Sequence, residues 1–260
     1  MEHSLHINYE YVLDFCSKQK ATTGTVAPVI LDYGCGRGET VTTGRARGLD
    51  LYGAEIFYTD GKGREVIAEL GLLGSVIREI KDGRLDFPDA FFDVVVSNQV
   101  MEHVVDLDAV LDEIDRVLKP GGVSLHLFPS RDVWREGHCG IPFIHWFRND
   151  SPLRRPYMLA LRRMGMGFFK KNKPPEKFTD TFLPWLEKYT HYRTRPEIFR
   201  SFRRQFSIEL IEDDYICFRL EKTGRKAFVP LVHFPLFKPL VKELFRKLGG
   251  LVLLAKKETD

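Results

Sequence analysis

A glycine-rich segment, VILDYGCGRGET (29–40), constrains the fold of this 260-residue chain more than any other. A short apolar run ends in an acid, Asp32, and continues into Gly34, Gly36 and Gly38 before a stretch that can form a helix. Glycine lets a chain turn sharply and lets a ligand approach the backbone without a Cβ in the way. The segment therefore predicts a strand, a ligand-binding turn and a helix, the opening unit of a doubly wound sheet.

The spacing of the glycines indicates the kind of ligand. The order is GxGxG, whereas the turn that holds dinucleotide phosphates is GxGxxG. Asp32, two residues before the first glycine, suits a cationic ligand, because a carboxylate can bind an amino group directly or through water. Glu55 ends the next predicted strand, 21 residues after Gly34, where an acid accepts hydrogen bonds from ribose hydroxyls. Both acids agree with an adenosyl ligand that carries an amino group.

The first 128 residues alternate between predicted strands and helices, which is typical of a parallel sheet with helices on both faces. Pro120, Gly121 and Gly122 are expected to stop the fourth helix. The predicted strands are 28–33, 50–56, 75–80, 93–98, 123–128, 206–212 and 250–256, and the predicted helices are 7–20, a segment from Glu39, 61–71 and 106–118.

The alternation stops after Pro129, where residues 130–192 are rich in aromatic and basic side chains. We predict a single α/β domain over residues 1–260, because the chain is long enough for one large core. Its core comprises residues 1–129 and 193–260, and residues 130–192 form a helical, aromatic cap over the mouth of the sheet. Core packing accounts for most of the cap's aromatic residues, and a few are expected to line an acceptor pocket.

Four stretches carry a family resemblance: VILDYGCGRGE, the acid at Glu55, LDFPDAFFDVVVSNQVMEHV (85–104) and RVLKPGGVSLHLFP (116–129). In order and spacing they resemble the class I S-adenosylmethionine-dependent methyltransferases, and most of all the branch that includes ubiquinone-type O-methyltransferases. The resemblance covers residues 28–129 well and 206–256 more loosely. It implies a seven-stranded, mostly parallel Rossmann-like sheet in the order 3-2-1-4-5-7-6, with S-adenosyl-L-methionine as cofactor.

The resemblance also assigns residues to the cofactor, position by position. They are Asp32, Gly34, Cys35 and Gly36 for the amino-acid end, Glu55 for the ribose, Asp82 and Gly83 for the adenine, and Asn98 for the floor near the methionine moiety. The run Lys81-Asp82-Gly83-Arg84 departs from the family's usual acid and small residues. An alternative for Asp82 is a turn residue before Gly83.

Candidate catalytic groups follow the fourth predicted strand and recur in the cap. Glu102 and His103 lie at the methyl end of the cofactor, and His138 and His145 lie in REGHCGIPFIHWF (135–147). Glu102, His103 and His138 offer one oxygen and two nitrogens, a plausible ligand set for a divalent metal such as Mg²⁺ with open positions. Such a metal would lower the pKa of an acceptor hydroxyl and fix it in line with the methyl group.

This arrangement resembles the metal site of small-RNA 2′-O-methyltransferases and ubiquinone-type O-methyltransferases. Gln99 stands where those enzymes carry a first acid, so one anionic ligand is missing. Two alternatives remain. Glu102 and His103 can serve to cap the next helix and orient the loop, or His103 or His138 can act alone as general base.

Charge is unevenly distributed along the chain. Residues 1–130 contain 12 basic and 21 acidic residues, whereas residues 131–260 contain 27 and 15. A basic half predicts contact with an anionic partner, unless it is merely a solvated face. Its basic clusters are Arg154-Arg155 with Arg162-Arg163, Lys170-Lys171-Lys173, and Arg193, Arg195, Arg200, Arg203 and Arg204.

Two anionic partners are considered, a nucleic acid and a membrane surface, and no RNA-binding module is recognisable. Residues 227–248 interleave large apolar residues with Lys and Arg. Leu240, Val241, Leu244, Phe245 and Leu248 share one helical face, as an interfacial helix requires. The alternative is a helix that packs this face on the sheet.

The scattered cysteines and the lack of a signal-like start predict a cytoplasmic protein, with contact to the inner face of the membrane as a further possibility. We predict an O-methyltransferase for a sugar-containing, lipid-linked or quinone-like small acceptor such as a glycolipid. The alternatives are an RNA methyltransferase and a non-catalytic protein that binds the cofactor.

Overall fold

Seven strands form one sheet in the order β3-β2-β1-β4-β5-β7-β6, which confirms the predicted order. The computed structural model describes residues 5–19, 27–57, 62–169 and 173–259. Strands β1 to β5 pair in parallel, and β7 lies antiparallel between β5 and β6. The strands are β1 (Val29–Tyr33), β2 (Asp50–Glu55), β3 (Ile77–Glu79), β4 (Phe92–Asn98), β5 (Leu118–Phe128), β6 (Phe206–Leu210) and β7 (Leu251–Lys257).

Helices cover the sheet and form part of the segment between β5 and β6 that was predicted to be a cap. They are α1 (Ile7–Lys18), α2 (Glu39–Ala46), α3 (Lys62–Glu69), α4 (Leu107–Val117), α5 (Arg154–Arg163), α6 (Pro175–Tyr189), α7 (Arg195–Phe202), α8 (Glu212–Lys222), α9 (Val229–His233) and α10 (Lys238–Leu248). Short 3₁₀ turns span Ile144–Trp146 and Lys226–Phe228. The described elements agree with the predicted ones in type and order, with shifted ends.

Strand β4 shows why the sheet must be covered on both faces. Val95 packs into a core cluster with α4, whereas its neighbours Val94 and Val96 pack into a second cluster with α1 and α2. Successive side chains of a strand point to opposite faces, so an unbroken apolar run needs helices on each side. Both clusters are buried, and the carboxyl ends of the parallel strands are left as the edge where a ligand can bind.

Strand β5 begins earlier than predicted. It starts at Leu118, directly after α4, and runs through the Pro120–Gly122 segment that was expected to precede it. Leu118 pairs with Phe92, and an irregularity in the β4–β5 register follows before the regular ladder. A Cβ on Gly122 would lie 2.8 Å from the Lys119 carbonyl oxygen of the same strand and 3.1 Å from the Asp93 carbonyl oxygen of β4, so glycine permits this close strand pairing.

The segment that follows β5 carries its own small apolar cluster, built from α5, α6 and the loop before them. Cys139, Ile144, Met158 and Phe178 are buried there. The segment is tied to the loop after β4, because the His191 N–H donates to the Glu102 carbonyl at 2.6 Å. The division into a core and a cap at residues 130 and 192 stays a prediction.

Candidate functional site

A cleft of about 690 Å³ opens at the carboxyl edge of the sheet. Gly34 and Gly36 after β1, Glu55 after β2 and Asn98 after β4 line it. Strand β1 lies between β2 and β4. The strands that follow it along the chain are therefore added on one side of β1 up to β3 and on the other side from β4 onwards. Such a switch point is where open α/β sheets bind ligands.

The glycine turn is packed against the loop that follows β4. Gly34 has φ of 77°, and a Cβ there would lie 2.5 Å from Cγ2 of Val100. Its N–H donates to the Ala54 carbonyl at 2.8 Å. Positive φ and lack of space both require glycine at this position.

We expect Gly34→Ala to lower the free energy of unfolding by about 2–4 kcal/mol and to weaken cofactor binding at least about tenfold, because the turn must move. Thermal unfolding and titration calorimetry measure the two effects. Gly48→Ala is the matched control, since Gly48 has φ of 85° with nothing within 4 Å of its Cβ position. Equal destabilisation by both substitutions would contradict the packing argument. The positive φ that the two glycines share would then account for the whole effect.

Two acids stand behind the turn. The Gly36 N–H donates to Glu55 Oε2 at 2.6 Å, which aims this carboxylate into the cleft, and burial raises the pKa of Glu55. Asp32 is buried, and burial raises its pKa to about 7 although the Thr40 hydroxyl donates to it. A cationic group beside Asp32 would favour its ionised form. Asp32 is suited to the amino end of a ligand and Glu55 to its ribose.

Helix α1 and the residue before it close one side of the cleft, which the sequence did not predict. His6, Asn8 and Tyr9 line the cleft. Asn8 Nδ2 donates to Asn98 Oδ1 at 3.0 Å, and this bond joins the helix to the cleft floor. Periodicity identified α1 as amphipathic, but no motif marked its polar residues as ligand contacts.

Four residues that were predicted to contact the cofactor do not line the cleft: Asp32, Cys35, Asp82 and Gly83. Asp82 and Gly83 form a turn with φ of 51° and 76°, closed by the Arg84 N–H bond to the Lys81 carbonyl at 2.9 Å. The alternative assignment of Asp82 as a turn residue describes its conformation. Cys35 is likewise buried rather than cleft-lining, since its Sγ would contact a Cβ on Gly53 at 2.7 Å.

Glu102, His103 and His138 converge beside the cleft. Their potential metal-ligating atoms lie within 4.8 Å of one another. His103 lines the cleft itself, and His138 Nε2 lies 3.2 Å from His103 Nε2. The loop after β4 and the cap therefore bring together three residues that are separated by up to 36 positions in the sequence.

The outer nitrogen of each histidine is already engaged. His103 Nδ1 donates to the Tyr189 carbonyl at 2.6 Å, and His138 Nδ1 donates to Glu136 Oε1 at 2.7 Å. Burial lowers the pKa of His103, so its Nε2 carries a lone pair that faces His138. Burial lowers the pKa of His138 too, but the hydrogen bond and charge of Glu136 outweigh it and the net shift is upward. A proton on His138 Nε2, or a cation bound by both Nε2 atoms, would remove the repulsion between their lone pairs.

Glu102 adds an anionic oxygen to this pair. The side chain is 1% exposed, and neither carboxylate oxygen has a hydrogen-bond partner within the described part of the chain. Burial raises its pKa to about 7. A buried carboxylate without a partner is costly, and a cation is one group that removes the cost. One carboxylate and two imidazoles suit Mn²⁺, Fe²⁺ or Zn²⁺, so the residues present fit a divalent metal.

A second carboxylate, Glu136, supports His138 from behind, and the sequence reasoning missed it. Glu136 is fully buried, and it accepts hydrogen bonds from the Tyr192 hydroxyl at 2.7 Å and from two backbone N–H groups. Its burial opposes ionisation, but these bonds and the proximity of His138 lower its pKa to about 2. A carboxylate on the outer nitrogen is the usual support for a metal-binding histidine. An acid two residues before His138 was the available signal.

His145 does not join this cluster. Its Nε2 lies 3.2 Å from the Arg131 carbonyl, and its ring packs on Tyr192. It lines a separate polar cavity of about 570 Å³, together with Arg131 and Arg154. Of the two histidines expected from the cap, only His138 reaches the cluster.

Aromatic rings lead from the protein surface to the histidine pair. Phe169 is 56% exposed and stacks on Phe182, with ring centroids 5.8 Å apart. Trp185 lies 6.4 Å from Phe182 and 5.1 Å from His138. These three rings, here called the aromatic wall, form a row of ring contacts that ends at His138.

Comparisons with known proteins agree with the fold and the cleft. A family model described as a methyltransferase domain matches residues 31–125. A sterol 24-C-methyltransferase from Eremothecium gossypii is 36% identical over 107 residues, which cover 38% of this chain and 27% of that protein. A ubiquinone biosynthesis O-methyltransferase from Psychrobacter cryohalolentis is 33% identical over 112 residues, 42% of this chain and 44% of that protein. The chain thus spans less than half the length of these relatives.

A solved structure extends the likeness to the whole chain. The S-adenosylmethionine dependent methyltransferase from Mesorhizobium loti covers 97% of this chain and 100% of its own, with a TM-score of 0.55 and 17% identity. Likeness at that identity concerns the fold. Together with the glycine turn and Glu55 at the switch point, the family-model match shows that residues 31–125 form a methyltransferase domain of the class I S-adenosylmethionine-dependent type, with S-adenosyl-L-methionine as cofactor.

Proposed function

We propose that this methyltransferase methylates a hydroxyl oxygen of a sugar-containing, lipid-linked or quinone-like acceptor, with a divalent cation bound by Glu102, His103 and His138. The convergence of these three residues next to the cofactor cleft is the observation that carries the proposal. Among the described residues the Glu102 carboxylate has no hydrogen-bond partner, and the two Nε2 atoms face each other, while Glu136 and Tyr189 accept hydrogen bonds from the outer nitrogens.

The chain's own residues act mainly through position. S-adenosyl-L-methionine supplies a methyl group on a sulfonium, which an acceptor oxygen attacks in line. We infer that Asp32, buried behind the glycine turn, binds the amino group of the cofactor, and that Glu55 and Asn98, which line the cleft, bind its ribose and border its methionine part. Alignment of the two reacting atoms is the main source of rate in such a displacement.

The hydroxyl must also lose a proton. A divalent cation, when bound, would supply the charge that lowers the pKa of the acceptor hydroxyl. Without it, the His103–His138 pair is the group that can take the proton, since His103 is held neutral by burial. Because carbon acceptors of the sterol type need no hydroxyl deprotonation, this apparatus favours oxygen, although the relatives include both C- and O-methyltransferases.

The surroundings of the site favour an acceptor with an apolar portion. The aromatic wall of Phe169, Phe182 and Trp185 ends at His138. Some of the basic side chains that could contact RNA form ion pairs within the protein instead. Arg155 pairs with Asp180, and Arg163 pairs with Glu176. Lys170 and Lys171 of the second basic cluster lie outside the described residues.

The test is methyl transfer from labelled S-adenosyl-L-methionine into an extract of the protein's own host, with and without a chelator, followed by fractionation. We expect label in a lipid or glycoconjugate fraction, its loss with chelator and its return with added Mn²⁺ or Zn²⁺. Nuclease-sensitive label would replace this acceptor with RNA. Methyl transfer that continues in the presence of chelator would refute the role of the metal. Cofactor binding without methyl transfer would favour the alternative that this protein binds the cofactor without catalysis.

A further inference from the structure

The C-terminal helix α10 exposes apolar side chains to solvent, whereas an ordinary surface helix buries them. Leu240, Leu244 and Leu248 lie four residues apart on one stripe and are 65%, 47% and 60% exposed. An apolar stripe of this kind normally packs against the core. The alternative, a helix that packs this face on the sheet, does not hold for these three leucines. Phe245 of the same face does contact Tyr215, with ring centroids 5.4 Å apart.

Charged residues hold the inner side of the helix instead. Arg246 Nε donates to Glu212 Oε1 at 2.8 Å, and Lys242 donates to Asp213 Oδ1 at 2.9 Å. The Glu212 side chain is fully buried. These pairs fix the rotation of the helix, so its leucines are kept facing solvent.

The exposed stripe continues into the segment before α10. We call the combined surface the C-terminal face, and its apolar residues are Phe228 (54% exposed), Leu231 (48%), Phe234 (52%), Leu236 (73%), Phe237 (42%), Leu240, Leu244 and Leu248. Trp134, 41% exposed, lies next to the end of this face. Its backbone N–H donates to the Lys247 carbonyl at 2.8 Å. An apolar patch of this extent marks an interaction surface.

Charge indicates what covers the face. Residues 222–248 contain seven Lys or Arg and one acid, Glu243. Three of these cations pair with Asp213 or Glu212 of α8, namely Lys238, Lys242 and Arg246. Arg225 and Lys226 are exposed at the edge of the patch. A second copy of the chain would set these basic groups against their equivalents, because a twofold interface pairs a surface with itself. The C-terminal face is apolar and basic, so a partner that matches it is apolar and anionic. An anionic lipid bilayer has both properties.

We propose that the C-terminal face binds the surface of an anionic membrane. Its Phe and Leu side chains enter the boundary between head groups and acyl chains, and Arg225 and Lys226 contact lipid phosphates. Among the described residues, no helix combines the length and the apolar run that crossing a bilayer requires. Attachment to one leaflet is the arrangement that this surface supports.

Sedimentation with vesicles tests the proposal on the full chain. We expect the protein to sediment with vesicles of mixed phosphatidylcholine and phosphatidylglycerol and to be released by high salt, and to bind pure phosphatidylcholine vesicles much more weakly. The double variant Leu236→Glu/Leu240→Glu should lower the partition coefficient by roughly a hundredfold, because two inserted side chains become charged. Arg225→Gln/Lys226→Gln should lower it by roughly tenfold or more.

Leu70→Glu/Leu153→Glu is the matched control, with two leucines that are 55% and 66% exposed and lie outside the face. It should bind vesicles as the wild type does, and circular dichroism checks that each variant is folded. Failure of the wild type to sediment with anionic vesicles would overturn the proposal. So would equal loss in the control, or a dimer, detected by light scattering, that Leu236→Glu/Leu240→Glu converts to monomer.

Discussion

Glu102→Gln is expected to lower methyl transfer by about a hundred- to ten-thousandfold while the affinity for S-adenosyl-L-methionine changes less than about threefold. The amide keeps the volume of the carboxylate but binds a cation far more weakly. Glu102 is buried beside the cleft and is not among the residues that line it, so cofactor contacts should survive. Steady-state kinetics and calorimetric titration of the cofactor measure the two effects.

Stability separates this expectation from simple structural damage. Among the residues that the structure describes, both Glu102 oxygens lack partners, so replacing the charge with an amide should leave thermal stability unchanged or raise it slightly. His138→Gln should act in the same direction and should also weaken Mn²⁺ binding measured by calorimetry. His145→Gln is the control, because His145 lies in the other cavity. Full turnover in Glu102→Gln, or an equal loss in His145→Gln, would refute the assigned site.

The sheet could be predicted because local and tertiary requirements agree there. Apolar runs such as Val94–Val96 have no stable position except inside a covered sheet, and the glycine turn has one common use in such a fold. The fourth helix ends before Pro120–Gly122 as predicted, but the start of β5 was predicted too late, since local propensity reads these residues as a break. Pairing of Leu118 with Phe92 extends the strand through them, and such pairing cannot be inferred from a local pattern.

In the candidate site too, local features could be predicted from the sequence, whereas contacts between distant segments could not. Glu102 and His103 are adjacent in the chain, so a motif could identify them. Glu136 and the engagement of Tyr189 depend on how the cap folds back, and His138 could not be separated from His145 by spacing. Contacts between distant segments were visible in the sequence only where the family resemblance supplied the arrangement.

Asp32→Asn is expected to have opposite effects on stability and on cofactor binding. Burial raises the pKa of Asp32 to about 7 from an ordinary value of 3.8, so the folded chain without cofactor holds its proton more tightly than the unfolded chain. The stabilising effect of that proton is complete below the unfolded pKa and is lost as pH rises through the folded pKa. Above about pH 7 the variant should therefore be more stable than the wild type by about 1–3 kcal/mol.

The cofactor reverses the sign of this effect. A cationic amino group stabilises the ionised carboxylate, so S-adenosyl-L-methionine should bind Asp32→Asn about ten- to a hundredfold more weakly at neutral pH. In the wild type its affinity should fall as pH decreases below about 7, because protons then compete for Asp32, and the variant should lose this dependence. Calorimetric titration across this range tests it, with denaturant unfolding of the free proteins alongside. A variant that is both less stable and unchanged in affinity would show that Asp32 only supports the turn. The opposite pair of effects would show that a destabilising charge is kept in the core because the cofactor requires it.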